Sequence, residues 1–146
     1  MSFKNEDMFN DDRPAIIFVC VHNAGRSQMA AGFLHAAAGD RVRVMSAGTQ
    51  PKEHVNPVVV AAMQEIGIDV SERFPARLTA NDVVAADLCI TMACGDACPI
   101  VPGTTYMDWK VDDPSGHSID KVRRIRDDIA ERVQLLMTED LFGDGG

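Results

Sequence analysis

Cys20 and Arg26 stand five residues apart in the run Cys20-Val21-His22-Asn23-Ala24-Gly25-Arg26-Ser27. Bent around one point, a thiol and a guanidinium at this spacing form a nucleophile and a clamp. The thiolate attacks the central atom of a tetrahedral oxyanion, and the planar fork of the arginine grips two of its oxygens. Ser27 can donate its hydroxyl hydrogen to the thiolate. Asn23 and Gly25 suit a tightly curved loop, since both residue types tolerate positive φ. His22 has no comparable support, and its side chain is expected to point outward. Three more thiols, Cys89, Cys94 and Cys98, cluster later in the chain.

Such a loop works only if neighbouring elements hold it. Residues 15–21 form an unbroken apolar run and read as a fully buried strand, while the Ala-rich 27–38 reads as a helix stopped by Gly39. The loop then sits at the carboxyl end of a strand and the amino end of a helix, where backbone N–H groups and the positive end of the helix dipole converge. A thiol in that field is a ready nucleophile because its anion is stabilised. The bland alternative, a buried cysteine and a solvated arginine, loses ground in this context.

Further along, Val42 to Ala47 alternates like a strand and ends at Gly48. Asn56-Pro57 is a helix start running to about Gly67, and Thr79 to Ala86 is a short helix capped by Thr79 or Asn81. Residues 87–92 form a third strand and 105–109 a weaker fourth. Apolar residues at 119, 122, 125, 129, 133 and 136 keep a helical period. Strands alternating with helices imply an α/β domain: one four-stranded parallel sheet with helices on both faces. The loops after strands one, three and four, bearing Cys20, Cys94 to Cys98, and Asp112-Asp113-Pro114, then meet at one edge of the sheet, where such folds bind ligands.

Composition narrows the function classes. The chain has 146 residues, 46% of them hydrophobic, which suits one domain with a proper core. Its longest apolar run is about seven residues, far short of the roughly twenty a spanning helix needs. The acidic, polar residues 1–14 read as a disordered extension and not as a signal peptide, residues 15–137 as the domain, and 138–146 as a mobile tail. A net charge of −8 argues against nucleic acid or an anionic membrane as partner. A cytoplasmic setting is expected, where cysteines are catalytic, metal-binding or buried more often than stapled. Cys89, inside a strand, reads as a buried hydrophobe. The spacing of Cys89, Cys94 and Cys98 lacks the paired knuckles of common zinc sites, so no metal is expected.

The segment Phe18 to Ala30 resembles the signature of arsenate reductases built on the low-molecular-weight protein tyrosine phosphatase fold. Ser46-Ala47-Gly48-Thr49, Asn56-Pro57, Ile66 to Ser71, Cys98-Pro99-Ile100 and Asp112-Asp113-Pro114 extend the similarity over roughly residues 15 to 137. The resemblance implies Cys20 as nucleophile, Arg26 and the loop as oxyanion site, and Asp113 as general acid, with Asp112 the alternative. Some related reductases bind potassium through an acidic residue four positions after the loop serine. Here that position is Ala31, so the ion is not expected.

Both activities of the fold begin with attack by Cys20. A phosphatase then needs water and, usually, aromatic side chains for a phosphotyrosine ring, which neither Pro114-Ser115-Gly116-His117 nor Thr49 to His54 provides. A reductase needs more thiols. Residues four apart in a helical turn have Cα atoms about 6 Å apart, within reach of a disulfide, so Cys94 and Cys98 can supply the electrons. The resemblance implies a relay in which Cys94 attacks the Cys20 adduct and Cys98 then attacks Cys94. Three intervening residues are fewer than usual in thioredoxin-linked relatives. The expected activity is reduction of arsenate to arsenite with no tightly bound cofactor, and with thioredoxin as external reductant. In the alternative route, mycothiol or glutathione acts with a glutaredoxin-type protein. Other readings are a phosphatase, and an oxyanion-binding or redox-sensing module without turnover.

Overall fold

The computed structural model describes residues 13–93 and 101–141. Strand β1, Ala15–Cys20, is buried at all six positions, which is why it carries no polar residue. It lies between β2, Arg43–Gly48, and β3, Leu88–Thr91, and β4, Thr105–Asp108, closes the sheet in the order β2-β1-β3-β4. Every pairing is parallel, in registers such as Cys20 opposite Gly48 and Val19 opposite Thr91. A parallel sheet buried on both faces favours continuous apolar runs over alternation, as β1 shows. The strand order reverses at β1, so the crevice for a ligand opens at the carboxyl ends of β1 and β3.

Helix α1, Arg26–Ala38, begins directly after the Cys20 loop and ends at Gly39, whose φ of 58° lies in the left-handed region. Helix α2, Pro57–Gln64, starts as expected, with Asn56 accepting from the Val58 N–H at 2.9 Å and proline at the first position. It stops three residues before Gly67, where φ of 83° turns the chain. Helix α3, Ala80–Val84, is capped by Thr79 and not Asn81, because Thr79 and Asp82 bond reciprocally in a capping box. Helix α4, Ile119–Leu135, buries Val122, Ile125, Ile129 and Val133 along one stripe and continues into a π-helical turn, Leu136–Leu141. Burying each such side chain is worth about 1.5–3 kcal/mol relative to exposure.

Helices cover both faces, but unevenly. One face of β1 (Ile16, Phe18 and Cys20) packs under α1, α2 and α4, forming the large core with Met29, Leu34, Val59, Met63 and Ile129. The other face (Ile17 and Val19) shares a smaller cluster with Ala47, Ala86 just past α3, and Cys89, against which Met45, Leu78 and Tyr106 pack. Glu65 clamps the helical layer together, accepting from Arg123 at 2.6 Å and from Arg126 at 2.9 Å. No helix among the described residues is long and apolar enough to cross a membrane.

Candidate active site

Cys20 is the last residue of β1 and is buried. Its Sγ lies 2.9 Å from Ser27 Oγ, on the first turn of α1. A directed chain sets the polarity of that contact. The Ala76 N–H donates to Asn23 Oδ1 at 2.9 Å, which turns the Asn23 amide nitrogen toward Ser27, and it donates to Ser27 Oγ at 2.6 Å. With a lone pair of Ser27 taken in this way, its hydrogen is available to the sulfur.

The carbonyls of the loop are held as firmly as the thiol. Cys20, Val21, His22 and Ala24 oxygens accept from the Thr49, Gln50, Lys52 and Asn56 amides at 3.2, 2.7, 3.1 and 2.8 Å. Asn23 O accepts instead from Gln28 Nε2 at 3.0 Å, and Gly25 O from the Met29 N–H at 2.9 Å. Carbonyl and following N–H point opposite ways across a trans peptide, and all peptides here are trans. Pinning the oxygens outward therefore turns successive N–H groups away from those anchors, toward the cleft. Among the described residues, the N–H groups of residues 22–28 reach no backbone carbonyl. Together with the free amino end of α1, where Gly25 offers no side-chain cap, they form a concave donor array for an anion.

Arg26, only 7% exposed, rests on Val111 O at 3.3 Å and faces Asp113 Oδ2 at 3.7 Å. Cys20, Arg26, Asp113 and Pro114 line one cleft of about 620 Å³, with His22, Lys52 and His54 also on its walls. No Phe, Tyr or Trp is among its described lining residues. His22 also borders the cleft, with its carbonyl tied to the Lys52 N–H. Asp112 is elsewhere: its carboxylate meets Lys121 at 3.0 Å, and that bond holds it below the usual carboxylate range. Asp112 is not among the residues that line the cleft, whereas Asp113 is. Asp113 Oδ1 instead accepts from the Ser115 N–H at 3.0 Å, which fixes the carboxyl at the cleft wall.

Asn23 adopts the expected positive φ, 48°, whereas Gly25 does not, at −139°. Glycine at 25 answers to crowding: a Cβ there would lie 2.6 Å from Pro114 Cγ. Only a residue without a side chain lets the Asp113-Pro114 segment close over the loop. Gly48 has a similar role, since a Cβ would meet Val21 O at 2.6 Å.

Cys89 is buried in β3, where desolvation pushes its thiol up to about 11, as suits a packed hydrophobe. The expected relay thiols Cys94 and Cys98 lie outside the described residues. The sequence reading missed Gln28 and Arg73: Arg73 Nε donates to Gln28 Oε1 at 2.6 Å, across 45 positions of chain. Nothing local signals that contact, although Gln28 stands next to Ser27.

The chain is similar to known proteins over most of its length. The family described as low molecular weight phosphotyrosine protein phosphatase matches residues 15–142. A putative arsenate reductase of Halobacterium salinarum is 39% identical over 127 residues, covering 84% of this chain and 89% of its own. Arsenate reductase 1 of Staphylococcus epidermidis is 36% identical over 126 residues, covering 84% and 94%. The solved thioredoxin-dependent arsenate reductase of Corynebacterium glutamicum superposes with a TM-score of 0.80 at 39% identity over 91% of this chain. This chain spans 64% of that longer one.

Proposed function

We propose that this chain, which belongs to the low-molecular-weight phosphotyrosine protein phosphatase family, reduces arsenate to arsenite. The observation that carries the reading is the buried Cys20 thiol at 2.9 Å from Ser27, sharing one cleft with Arg26 in a loop whose carbonyls are anchored and whose N–H groups from 22 to 28 reach no backbone carbonyl among the described residues. Ser27 and the amino end of α1 stabilise the thiolate, while Arg26 and the loop amides hold the oxyanion and the charge that grows on it during attack. Cys20 displaces one oxygen from arsenic, and Asp113 protonates that oxygen as it leaves.

These steps would serve a phosphatase equally. Two observations favour reduction: the similar proteins are named arsenate reductases, and no Phe, Tyr or Trp is among the described lining residues to hold a phosphotyrosine ring. Completion takes two electrons. The Cys94 thiolate attacks Cys20 Sγ, the S–As bond breaks with its electron pair passing to arsenic, and arsenite leaves behind a Cys20–Cys94 disulfide. Cys98 then attacks Cys94, which frees Cys20 and leaves a Cys94–Cys98 disulfide for an external thiol reductant. Thioredoxin is the proposed reductant, in a cytoplasmic setting.

Mass mapping after turnover with arsenate and no reductant tests this scheme. A Cys94–Cys98 disulfide is the expected product; an adduct formed only when mycothiol or glutathione is supplied would replace the relay with the small-thiol route. Cys20→Ser should abolish both arsenate reduction and hydrolysis of an activated aryl phosphate. Cys94→Ser should stop reduction and spare hydrolysis, and reduction at the wild-type rate with thioredoxin would refute the relay.

A further inference from the structure

Five of the six loop carbonyls from Cys20 to Gly25 are anchored by backbone N–H groups, and Asn23 O alone depends on a side chain, that of Gln28. A backbone donor has one polarity. A glutamine amide has two, because rotation by half a turn exchanges its oxygen and nitrogen at little steric cost. In the wrong orientation Gln28 would present oxygen to the Asn23 oxygen, and that peptide would rotate to escape. The following N–H, that of Ala24, would swing with it. Ala24 lines the cleft, and Asn23 sits at a φ of 48°, where other turn conformations lie close by.

Arg73 removes the ambiguity. Its Nε donates to Gln28 Oε1 at 2.6 Å while Nη2 reaches Ser46 Oγ at 3.3 Å. A guanidinium only donates, so it accepts one orientation of Gln28: oxygen toward Arg73, nitrogen toward Asn23. Gln28 is wholly buried, and in such a setting a hydrogen bond to a charged group is among the stronger ones. The same short stretch supplies the other polarity-setting donor, since the Ala76 N–H orients Asn23.

We infer that Arg73 is a positioning residue of the oxyanion site, acting through the orientation of the Gln28 amide to keep the Ala24 N–H aimed at the bound anion. Arg73 is not among the described residues that line the cleft, and its guanidinium is held by Gln28 and Ser46. This deepens the functional reading above: it rests on the loop's being an oxyanion cradle, not on arsenate's being the substrate.

The test measures inhibition by inorganic phosphate and by vanadate, together with hydrolysis of p-nitrophenyl phosphate, on the full chain. Removing one donor from an oxyanion site typically costs about 10²–10³ in kcat, and a misaimed donor is expected to cost less. Arg73→Met should therefore lower kcat about tenfold and weaken vanadate, which mimics the transition state, more than phosphate. Arg73→Lys, still a pure donor, should recover most of that loss. Gln28→Glu, which keeps the bond to Arg73 but sets an oxygen against Asn23 O, should be at least as damaging as Arg73→Met. In a Gln28→Met background, Arg73→Met should add no further loss, because the path is already cut. A structural role alone predicts equal weakening of both anions and no selective rescue by lysine. If wild type binds neither anion, the cradle reading fails. If wild type binds them and Arg73→Met stays within twofold of it, or the two substitutions multiply, this inference fails by itself.

Discussion

Gly25→Ala offers a close test of how the acid is brought to the nucleophile. The added methyl carbon would lie 2.6 Å from Pro114 Cγ and 3.4 Å from Cδ. Non-bonded carbons rest about 3.5–4.0 Å apart, so the proline ring must retreat by roughly 1 Å. Pro114 is buried and joined to Asp113, whose carboxylate stands 3.7 Å from Arg26, so the acid retreats with it. A displacement of about 1 Å at a reacting group can cost about 10²-fold. The kcat for p-nitrophenyl phosphate should fall by up to that factor, and crowding of this kind costs about 1–3 kcal/mol of stability. Alkylation of Cys20 by iodoacetamide should persist, since the Ser27 and Asn23 bonds are untouched. Pro114→Ala deletes both clashing carbons, so the double variant Gly25→Ala, Pro114→Ala should be more active than Gly25→Ala. A Gly25→Ala enzyme within twofold of wild type, or a double variant no better than the single, would refute the reasoning.

Other expectations follow from the same geometry. Asp113→Asn should lower kcat for an aryl phosphate by about 10²–10⁴-fold and Asp112→Asn by little, and comparable losses in the two would remove the assignment of the acid. Glu65 is held down at about 2, first by its hydrogen bond from Arg123 and then by Arg126. A depressed carboxylate adds stability that is whole above the unfolded value of 4.5 and fades as pH falls toward about 2. Glu65→Gln should therefore flatten the loss of thermal midpoint across that window, and an unchanged slope would count against the clamp between α2 and α4. Cys89, pushed up to about 11 by burial, should resist iodoacetamide at pH 8 until denaturant is added, which mass mapping of labelled peptides can read.

The catalytic loop was legible because it is contiguous. Cys20, Asn23, Arg26 and Ser27 lie between one strand and one helix, so strand end, loop length and helix start jointly dictate their neighbourhood. The four strands, their parallel arrangement and the stripe of α4 were legible for a related reason, since apolar period and helix caps are local signals. Errors gathered where a tertiary contact overrides a local preference. Glycine at 25 looked like a demand of φ, yet its φ is −139° and a Cβ there would lie 2.6 Å from Pro114 Cγ.

By itself the sequence determined the chemistry on offer: a thiol and a guanidinium five residues apart, held at the meeting of a strand end and a helix start. Tertiary structure alone showed what faces the two adjacent acids, Asp113 and its alternative Asp112: Arg26 at 3.7 Å from the first and Lys121 at 3.0 Å from the second. It also decided why position 25 is glycine, a matter of Pro114 and not of φ, and how the loop amides are aimed, through Arg73 and Gln28. The physical reason is range. Backbone preference and hydrophobic period act over a few residues, whereas steric exclusion and hydrogen-bond polarity act between groups that only the folded sheet brings together.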